Sequence, residues 1–231
     1  MNTGFGPIQE RLSDAVRSAL QEVLCDPAVR AGLGQGVMDA VAEFALLDEP
    51  TVTDHEQTTF SHVSDIQLRN VLARTLFGSR WLYKLGLVTY ATHDRRAAHI
   101  RAQVIDYAAI SEAVLTDALA RGIRAERLTK GVHRFFNPRR PGGRELAWSR
   151  SRIDTQLRKY PCNFEWKIIV STAESILSSS VAERVDRLRK ARNRVHLAER
   201  VGAREYLKES GDAYATMHEC VKRCARWLEG K

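Results

Sequence analysis

The residues best suited to chemistry lie between Leu188 and Leu197, where the chain reads Leu-Arg-Lys-Ala-Arg-Asn-Arg-Val-His-Leu. A helix turns by about 100° per residue, so this stretch gathers polar side chains on one stripe about 100° wide. The stripe consists of Arg189, Arg192, Asn193, His196 and Arg200. Apolar residues repeat at spacings of three and four on the adjacent face, at Val181, Val185, Leu188, Ala191, Val195 and Ala198. We therefore expect a core-anchored helix that holds the stripe rigidly.

The stripe has the residue types needed to cleave a phosphodiester whose nucleophile belongs to the substrate, the 2′-hydroxyl of RNA. Guanidinium groups keep their charge and match phosphate oxygens. The imidazole of His196 can exchange a proton, and the neighbouring cations should lower its pKa and keep it neutral. Asn193 can orient the ring or bind a substrate hydroxyl. Such a reaction needs no metal. The alternative is a solvated basic helix face with an incidental histidine.

The same ten residues resemble the signature helix of the HEPN superfamily, which comprises all-α domains, many of them RNases. The family pattern is an arginine, usually followed by a polar residue, then four to six residues before a histidine. Arg192 is followed by Asn193, but only three residues separate Arg192 from His196. Six residues separate Arg189 from His196. Either Arg189 is the motif arginine, or the chain carries a short variant in which Arg192 and His196 are one helical turn apart.

The resemblance covers about residues 96–231 and implies a function. It implies a homodimer whose site forms where two motif helices meet, and RNA products with 2′,3′-cyclic phosphate and 5′-hydroxyl ends. It also implies a role in antiviral defence or as a toxin restrained by a regulatory or antitoxin protein. The implied catalytic residues are Arg189, Arg192, Asn193 and His196, with Arg194 and Arg200 as outer RNA contacts. Parts of the superfamily are inactive, so the alternative is a non-catalytic RNA- or protein-binding subunit of a defence complex.

Charge is distributed unevenly along the chain. Residues 1–60 hold 3 basic and 10 acidic residues, whereas residues 121–159 hold 12 basic and 3 acidic residues. This basic segment interleaves Phe135, Phe136 and Trp148 with its arginines, which suits phosphate contacts and stacking on unpaired bases. We predict RNA contacts from Arg139, Arg140, Arg144 and Arg150. The alternative is an exposed loop whose aromatic side chains tuck beneath it. A DNA-binding regulator is a weaker option because no helix-turn-helix pattern is evident.

Hydrophobic spacing predicts an all-α fold. The resemblance implies a HEPN-like helical bundle, with an additional N-terminal helical region. Helices are predicted over 7–24, 37–47, 65–92 (as one helix or two), 95–119, 164–178, 181–201 and 204–228, with a loop at 48–59. We place an N-terminal region at 1–94 and the bundle at 95–231, with the basic insertion at about 121–159. One merged helical domain is the alternative. The polar positions of the fourth predicted helix, Arg101, Gln103, Asp106 and Glu112, are expected to face solvent, although any of them could support His196.

Composition is ordinary for a globular protein of 231 residues, with 44% hydrophobic and 28% charged residues. No apolar run approaches the roughly 20 residues needed to span a bilayer, and residues 1–7 lack the pattern of a signal peptide. Cys25, Cys162, Cys220 and Cys224 have neither zinc-ribbon nor disulfide-framework spacing. Cys220 and Cys224 are expected to be small core residues, with a metal pair as the alternative. We therefore expect a cytoplasmic protein with no membrane association, metal or cofactor.

Overall fold

The structure is a computed structural model that describes residues 18–19, 36, 39–44, 46–88, 93–128, 150–159, 162–195 and 203–230. Throughout these ranges the regular structure is helical and no strand occurs, which confirms the predicted all-α class. The helices are α1 (Val52–Gln57), α2 (Ile66–Val88), α3 (His93–Arg124), α4 (Ile153–Leu157), α5 (Phe164–Ala173), α6 (Ser179–Val195) and α7 (Ala203–Glu229). A 3₁₀ turn, Arg150–Arg152, precedes α4. None of these helices has the length and apolarity to cross a membrane.

Helix α3 is the centre of the bundle, because α2, α4, α5, α6 and α7 all pack against it. Its buried residues recur at helical spacing and include Val104, Tyr107, Ala108, Leu115 and Leu119. The apolar core continues without interruption from α2 to α7. The division of the chain at residue 94 stays a prediction.

Helix α1 lies where the sequence analysis predicted a loop, so that prediction is wrong for residues 52–57. The helix begins with a capping box, in which the Thr51 hydroxyl accepts a hydrogen bond from the Asp54 amide at 3.1 Å. In return, Asp54 Oδ2 accepts a hydrogen bond from the Thr51 amide at 2.8 Å. These bonds satisfy amide groups that a helix start leaves without partners. Pro50 precedes the cap and therefore interrupts no helical hydrogen bond.

Helices α2, α3, α5, α6 and α7 agree with predicted ranges except at their ends, whereas α4 lies in the basic insertion, where no helix range was predicted. Helix α2 follows the prediction over Ile66–Val88, and α3 extends beyond 95–119 in both directions. Helix α5 ends at Ala173 rather than at 178, because Ser175 adopts a left-handed backbone with φ of 60°. Most of the predicted helix 7–24 and the end of the predicted helix 181–201 lie outside the described residues.

A buried carboxylate ties the chain before α1 to α2. Glu49 lies 3.3 Å from Arg80 Nε and 3.6 Å from Lys84 Nζ. The Arg80 guanidinium also stacks over the Tyr214 ring of α7, with its carbon 4.8 Å from the ring centroid. The two cations, Arg80 and Lys84, thus compensate the buried negative charge of Glu49.

The described cysteines are core residues. Cys220 and Cys224 are fully buried on α7, as predicted, and Cys162 is buried before α5. Burial raises the pKa of the Cys162 thiol to about 11. Cys25 lies outside the described residues.

Candidate functional site

Helix α6 is anchored by the face that the sequence predicted. Val181, Val185 and Leu188 are buried, and Ala191 packs against the same core at partial exposure. The helix contacts α3, α5 and α7. The predicted apolar face is confirmed at these residues, and the described part of the polar stripe, Arg189, Arg192 and Asn193, lies beside it.

Arg192 contacts the central helix. Its Nη1 donates a hydrogen bond of 2.7 Å to Glu112 Oε2 on α3. The other oxygen of this carboxylate accepts a hydrogen bond of 3.0 Å from Lys167 Nζ on α5. The three residues, one from each of three helices, form what we call the Glu112 cluster. The Lys167 side chain is only 5% exposed, whereas that of Arg192 is 33% exposed, so only the arginine presents much charge to solvent.

The charges of the Glu112 cluster determine the protonation of its carboxyl group. Burial alone would raise the pKa of Glu112, but the Lys167 ammonium and the Arg192 guanidinium more than offset it. The pKa therefore lies below its ordinary value, and the carboxylate is ionised at neutral pH.

Arg189 is occupied by acidic neighbours. Its Nε and Nη2 lie 2.8 and 2.7 Å from Asp186 Oδ1, and Nη2 is also 3.9 Å from Glu165 Oε1 on α5. Lys190 pairs with the second oxygen of Asp186 at 2.7 Å. With a side chain that is 14% exposed, Arg189 joins α6 to α5.

The other predicted catalytic and outer-contact residues are only partly described. Asn193 is exposed, and its side chain makes no hydrogen bond within the described part of the chain. His196 and Arg200 lie outside the described residues. The backbone of Arg194 belongs to α6, but its side chain is outside the described part.

The basic segment is described only at its ends. Arg139, Arg140 and Arg144 lie outside the described residues. Arg150 begins the 3₁₀ turn, and its side chain is not among those described.

Sequence reasoning assigned solvent-facing positions to three α3 residues that make internal contacts, and that expectation is wrong. Gln103 is buried and accepts a hydrogen bond of 2.7 Å from Ser210 on α7. Asp106 accepts one of 2.5 Å from Ser79 on α2. The third is Glu112. The sequence did contain an indication that Glu112 faces the core. Glu112 lies four residues after buried Ala108 and three before buried Leu115, so helical spacing places it on the same face as both.

Lys167 was missed entirely, and its sequence context shows why. It lies in a mostly apolar helix, between Trp166 and Ile168. A lysine at such a position usually extends its ammonium to water, and nothing local to α5 points to a carboxylate on α3.

A groove with a volume of about 810 Å³ runs along α3 from the Glu112 cluster toward α4. Four basic and four acidic residues line it, namely Arg124, Arg158, Lys159, Lys167, Asp65, Glu112, Asp117 and Asp154. The formal charges balance, so this groove is not the uniformly basic channel that a polyanion would favour. Within the described ranges, no group of three or more His, Cys, Asp or Glu residues could hold a metal ion.

Comparison with family models, curated proteins and solved structures finds no match. The resemblance to HEPN proteins therefore stays a prediction from the sequence.

Proposed function

We propose that the protein is a metal-independent endoribonuclease of the HEPN type that cleaves RNA through attack by the 2′-hydroxyl. The observation that carries the proposal is the anchored but accessible guanidinium of Arg192. Glu112 holds one of its terminal nitrogens at 2.7 Å, and the side chain remains one-third exposed. His196 follows one helical turn later in the sequence.

The ion pairs favour Arg192 over Arg189 as the phosphate ligand. A guanidinium has five N–H donors, and Arg192 directs one terminal nitrogen to Glu112. Arg189 directs both Nε and Nη2 to Asp186 and is less exposed. We assign phosphate binding to Arg192 and a structural role to Arg189. This assignment selects the short variant of the motif.

The proposed reaction is an in-line displacement at phosphorus. The neutral imidazole of His196 accepts the proton of the 2′-hydroxyl as O2′ bonds to phosphorus. The bond from phosphorus to O5′ breaks, and O5′ takes a proton from water to leave as a 5′-hydroxyl. His196 then returns its proton to the solvent. The products are a 2′,3′-cyclic phosphate and a 5′-hydroxyl end. Arg192 stabilises the charge that develops on the phosphate oxygens, and exposed Asn193 is available to orient the ring or the substrate.

The resemblance implies RNA as the partner, a homodimer, a restraining regulatory or antitoxin protein and a defence role, and the basic segment also favours RNA. A cytoplasmic location is expected from the composition and the cysteine spacing. All of these are parts of the proposal. A second candidate is a non-catalytic HEPN-like subunit that binds RNA or protein. One observation favours it, because the Glu112 carboxylate already neutralises part of the Arg192 charge.

The test is RNA cleavage by the full chain in EDTA, with the product ends identified. The variants are His196→Ala and Arg192→Gln. The matched control is Arg223→Gln, because Arg223 on α7 also donates to one carboxylate, that of Glu219 at 2.9 Å, and is 39% exposed.

We expect wild type and Arg223→Gln to give cyclic phosphate ends, His196→Ala to lose cleavage with RNA affinity retained, and Arg192→Gln to lose both. Cleavage that survives in His196→Ala would overturn the proposal. So would a folded, dimeric wild type that binds RNA but cuts none of a broad set of cellular RNAs, and the binding subunit would then be the better description.

A further inference from the structure

A second arginine-bearing surface lies on the opposite flank of α6. Relative to Leu188, Arg184 and Arg187 are rotated by about 40° and 100° one way, and Arg192 and Arg189 by about 40° and 100° the other. The first pair faces α7, where a pocket of about 330 Å³ opens between α6 and α7.

The pocket has an apolar lining. It comprises Val104 of α3, Leu188 and Ala191 of α6, and Ala213 and Ala215 of α7. Three of these five residues are alanines, whose small side chains leave room between the helices. The volume is at the lower end of the range of about 300–1,000 Å³ that is usual for small-molecule sites.

The polar groups of the pocket lie on opposing helices. Arg184 and Arg187 line it from α6, and Asp212 and Thr216 line it from α7. Within the described part of the chain, neither arginine has an acidic partner within ion-pair distance, in contrast to Arg189 and Arg192. Guanidiniums without carboxylate partners keep their donors available for the oxygens of a phosphate.

We propose that this pocket binds one nucleotide unit. Its phosphate contacts Arg184 and Arg187, a ribose hydroxyl or a base amine donates to the Asp212 carboxylate, and an unstacked base lies against the apolar side chains that line the pocket. The Asp212 charge disfavours ligands that carry only negative groups, such as inorganic polyphosphate. A nucleotide supplies the anion, the donor and the flat ring together.

RNA is the expected source of this nucleotide, and that part of the inference rests on the proposed function. Ala191 lines the pocket, and the next residue is Arg192. A strand that places its scissile phosphate at Arg192 can therefore cross α6 and insert a neighbouring base. Because the base must leave the stack, the substrate would be single-stranded RNA. A free nucleoside monophosphate offers the same chemistry and is the other source.

The test measures binding of uridine and adenosine 5′-monophosphate, and of a 12-nucleotide single-stranded RNA and its duplex, to the full chain. The RNA measurements use His196→Ala as the background so that the strand stays intact. Ala215→Trp fills the exposed edge of the pocket without a change of charge, and Ala98→Trp on an exposed position of α3 is its control. Arg187→Gln removes a pocket cation, and Arg226→Gln, also exposed, removes one outside it.

We expect Ala215→Trp and Arg187→Gln to weaken binding roughly tenfold or more, with both controls near wild type. A loss confined to single-stranded RNA identifies RNA as the source, and a loss confined to the monophosphates identifies a free nucleotide. Equal affinities in the pocket and control variants for every ligand would overturn the inference, whether or not the protein cleaves RNA. Conversely, if the protein binds nucleotides through this pocket but cleaves no RNA, this inference is supported and the proposed nuclease function is contradicted.

Discussion

Glu112 Oε2 lies 2.7 Å from Arg192 Nη1, although the two residues are 80 positions apart in the chain. The contact fixes the polar stripe of α6 to the central helix. The other oxygen of the Glu112 carboxylate pairs with Lys167 of α5. Because Lys167 is almost fully buried, the carboxylate does more than orient Arg192. It also compensates a lysine charge that water scarcely reaches.

Removal of this carboxylate should destabilise the protein. Glu112→Ala leaves the buried Lys167 ammonium without its 3.0 Å partner. We expect a loss of about 2–3 kcal/mol in the free energy of unfolding, somewhat below the range for fully buried pairs because Glu112 is partly exposed. Urea unfolding at pH 7 measures it.

The double variant Glu112→Ala/Lys167→Met is the control for that prediction, because it removes the uncompensated charge and keeps a long apolar side chain. It should recover most of the lost stability. A double variant no more stable than Glu112→Ala would contradict the explanation and point to lost packing or to the lost contact with Arg192.

The capping box of α1 should be measurable as well. Thr51→Ala removes the acceptor for the Asp54 amide and should cost about 0.5–2 kcal/mol. Thr53, two residues on, is exposed, and its side chain makes no hydrogen bond in the described part of the chain, so Thr53→Ala should change stability by less than about 0.5 kcal/mol. Thermal unfolding of the two variants side by side decides the matter. Equal losses would mean that the cap contributes nothing of its own.

Periodicity predicted the helical class and the buried face of α6, because both depend on residues close together in the chain. The loop predicted at 48–59 shows where local reasoning went wrong. Pro50 and the polar composition were interpreted as a loop, whereas Thr51 and Asp54, spaced three apart, are a helix-start signature. The capping pair is visible in the sequence, but Pro50 and the polar residues around it also favour a loop, and composition alone does not distinguish the two.

The partners in the site could not be predicted in the same way. The spacing of Arg189 and Arg192 placed both on one stripe, but it did not indicate their ion-pair partners. Arg189 pairs with Asp186 on the same helix, whereas Arg192 pairs with Glu112 on α3. The contact between Asp186 and Arg189 could have been predicted, because residues three apart on a helix are neighbours. The second depends on how α6 crosses α3, which no pattern within α6 contains.

Buried histidines should make stability depend on pH. Burial is the main cause that lowers the pKa of His55, His62 and His218 below 6.5. Below pH 6.5 the unfolded chain therefore binds protons that the native state refuses, so the free energy of unfolding should fall as the pH drops from 7 toward 5. Each histidine contributes at most about 1.4 kcal/mol per pH unit.

The slope of that dependence separates histidine titration from other causes. His62→Gln removes a ring whose buried Nε2 makes no hydrogen bond, so the fall in stability between pH 7 and 5 should become shallower. Arg223→Gln, which removes a charge that does not titrate in this range, should keep the wild-type slope. Parallel slopes in wild type and His62→Gln would show that His62 is protonated in the native state.

Two helical glycines should respond oppositely to the same substitution. A Cβ on Gly122 of α3 would lie 2.5 Å from Trp227 Cη2 and 3.1 Å from Leu128 Cδ2, whereas a Cβ on Gly78 of α2 would meet nothing within 4 Å. The Trp227 ring is held in place, since the Arg127 guanidinium stacks on it with its carbon 4.7 Å from the ring centroid. Movement of the ring away from a new methyl group would disturb that contact.

Gly78→Ala should therefore raise the free energy of unfolding by about 0.5–1 kcal/mol, because alanine restricts the unfolded chain and favours the helix. Gly122→Ala has the same helical benefit but should lower stability by about 1–3 kcal/mol, because the overpacking against Trp227 outweighs it. Urea unfolding of both variants tests the pair. If Gly122→Ala is as stabilising as Gly78→Ala, α3 and α7 are less closely packed at this end than the 2.5 Å approach indicates.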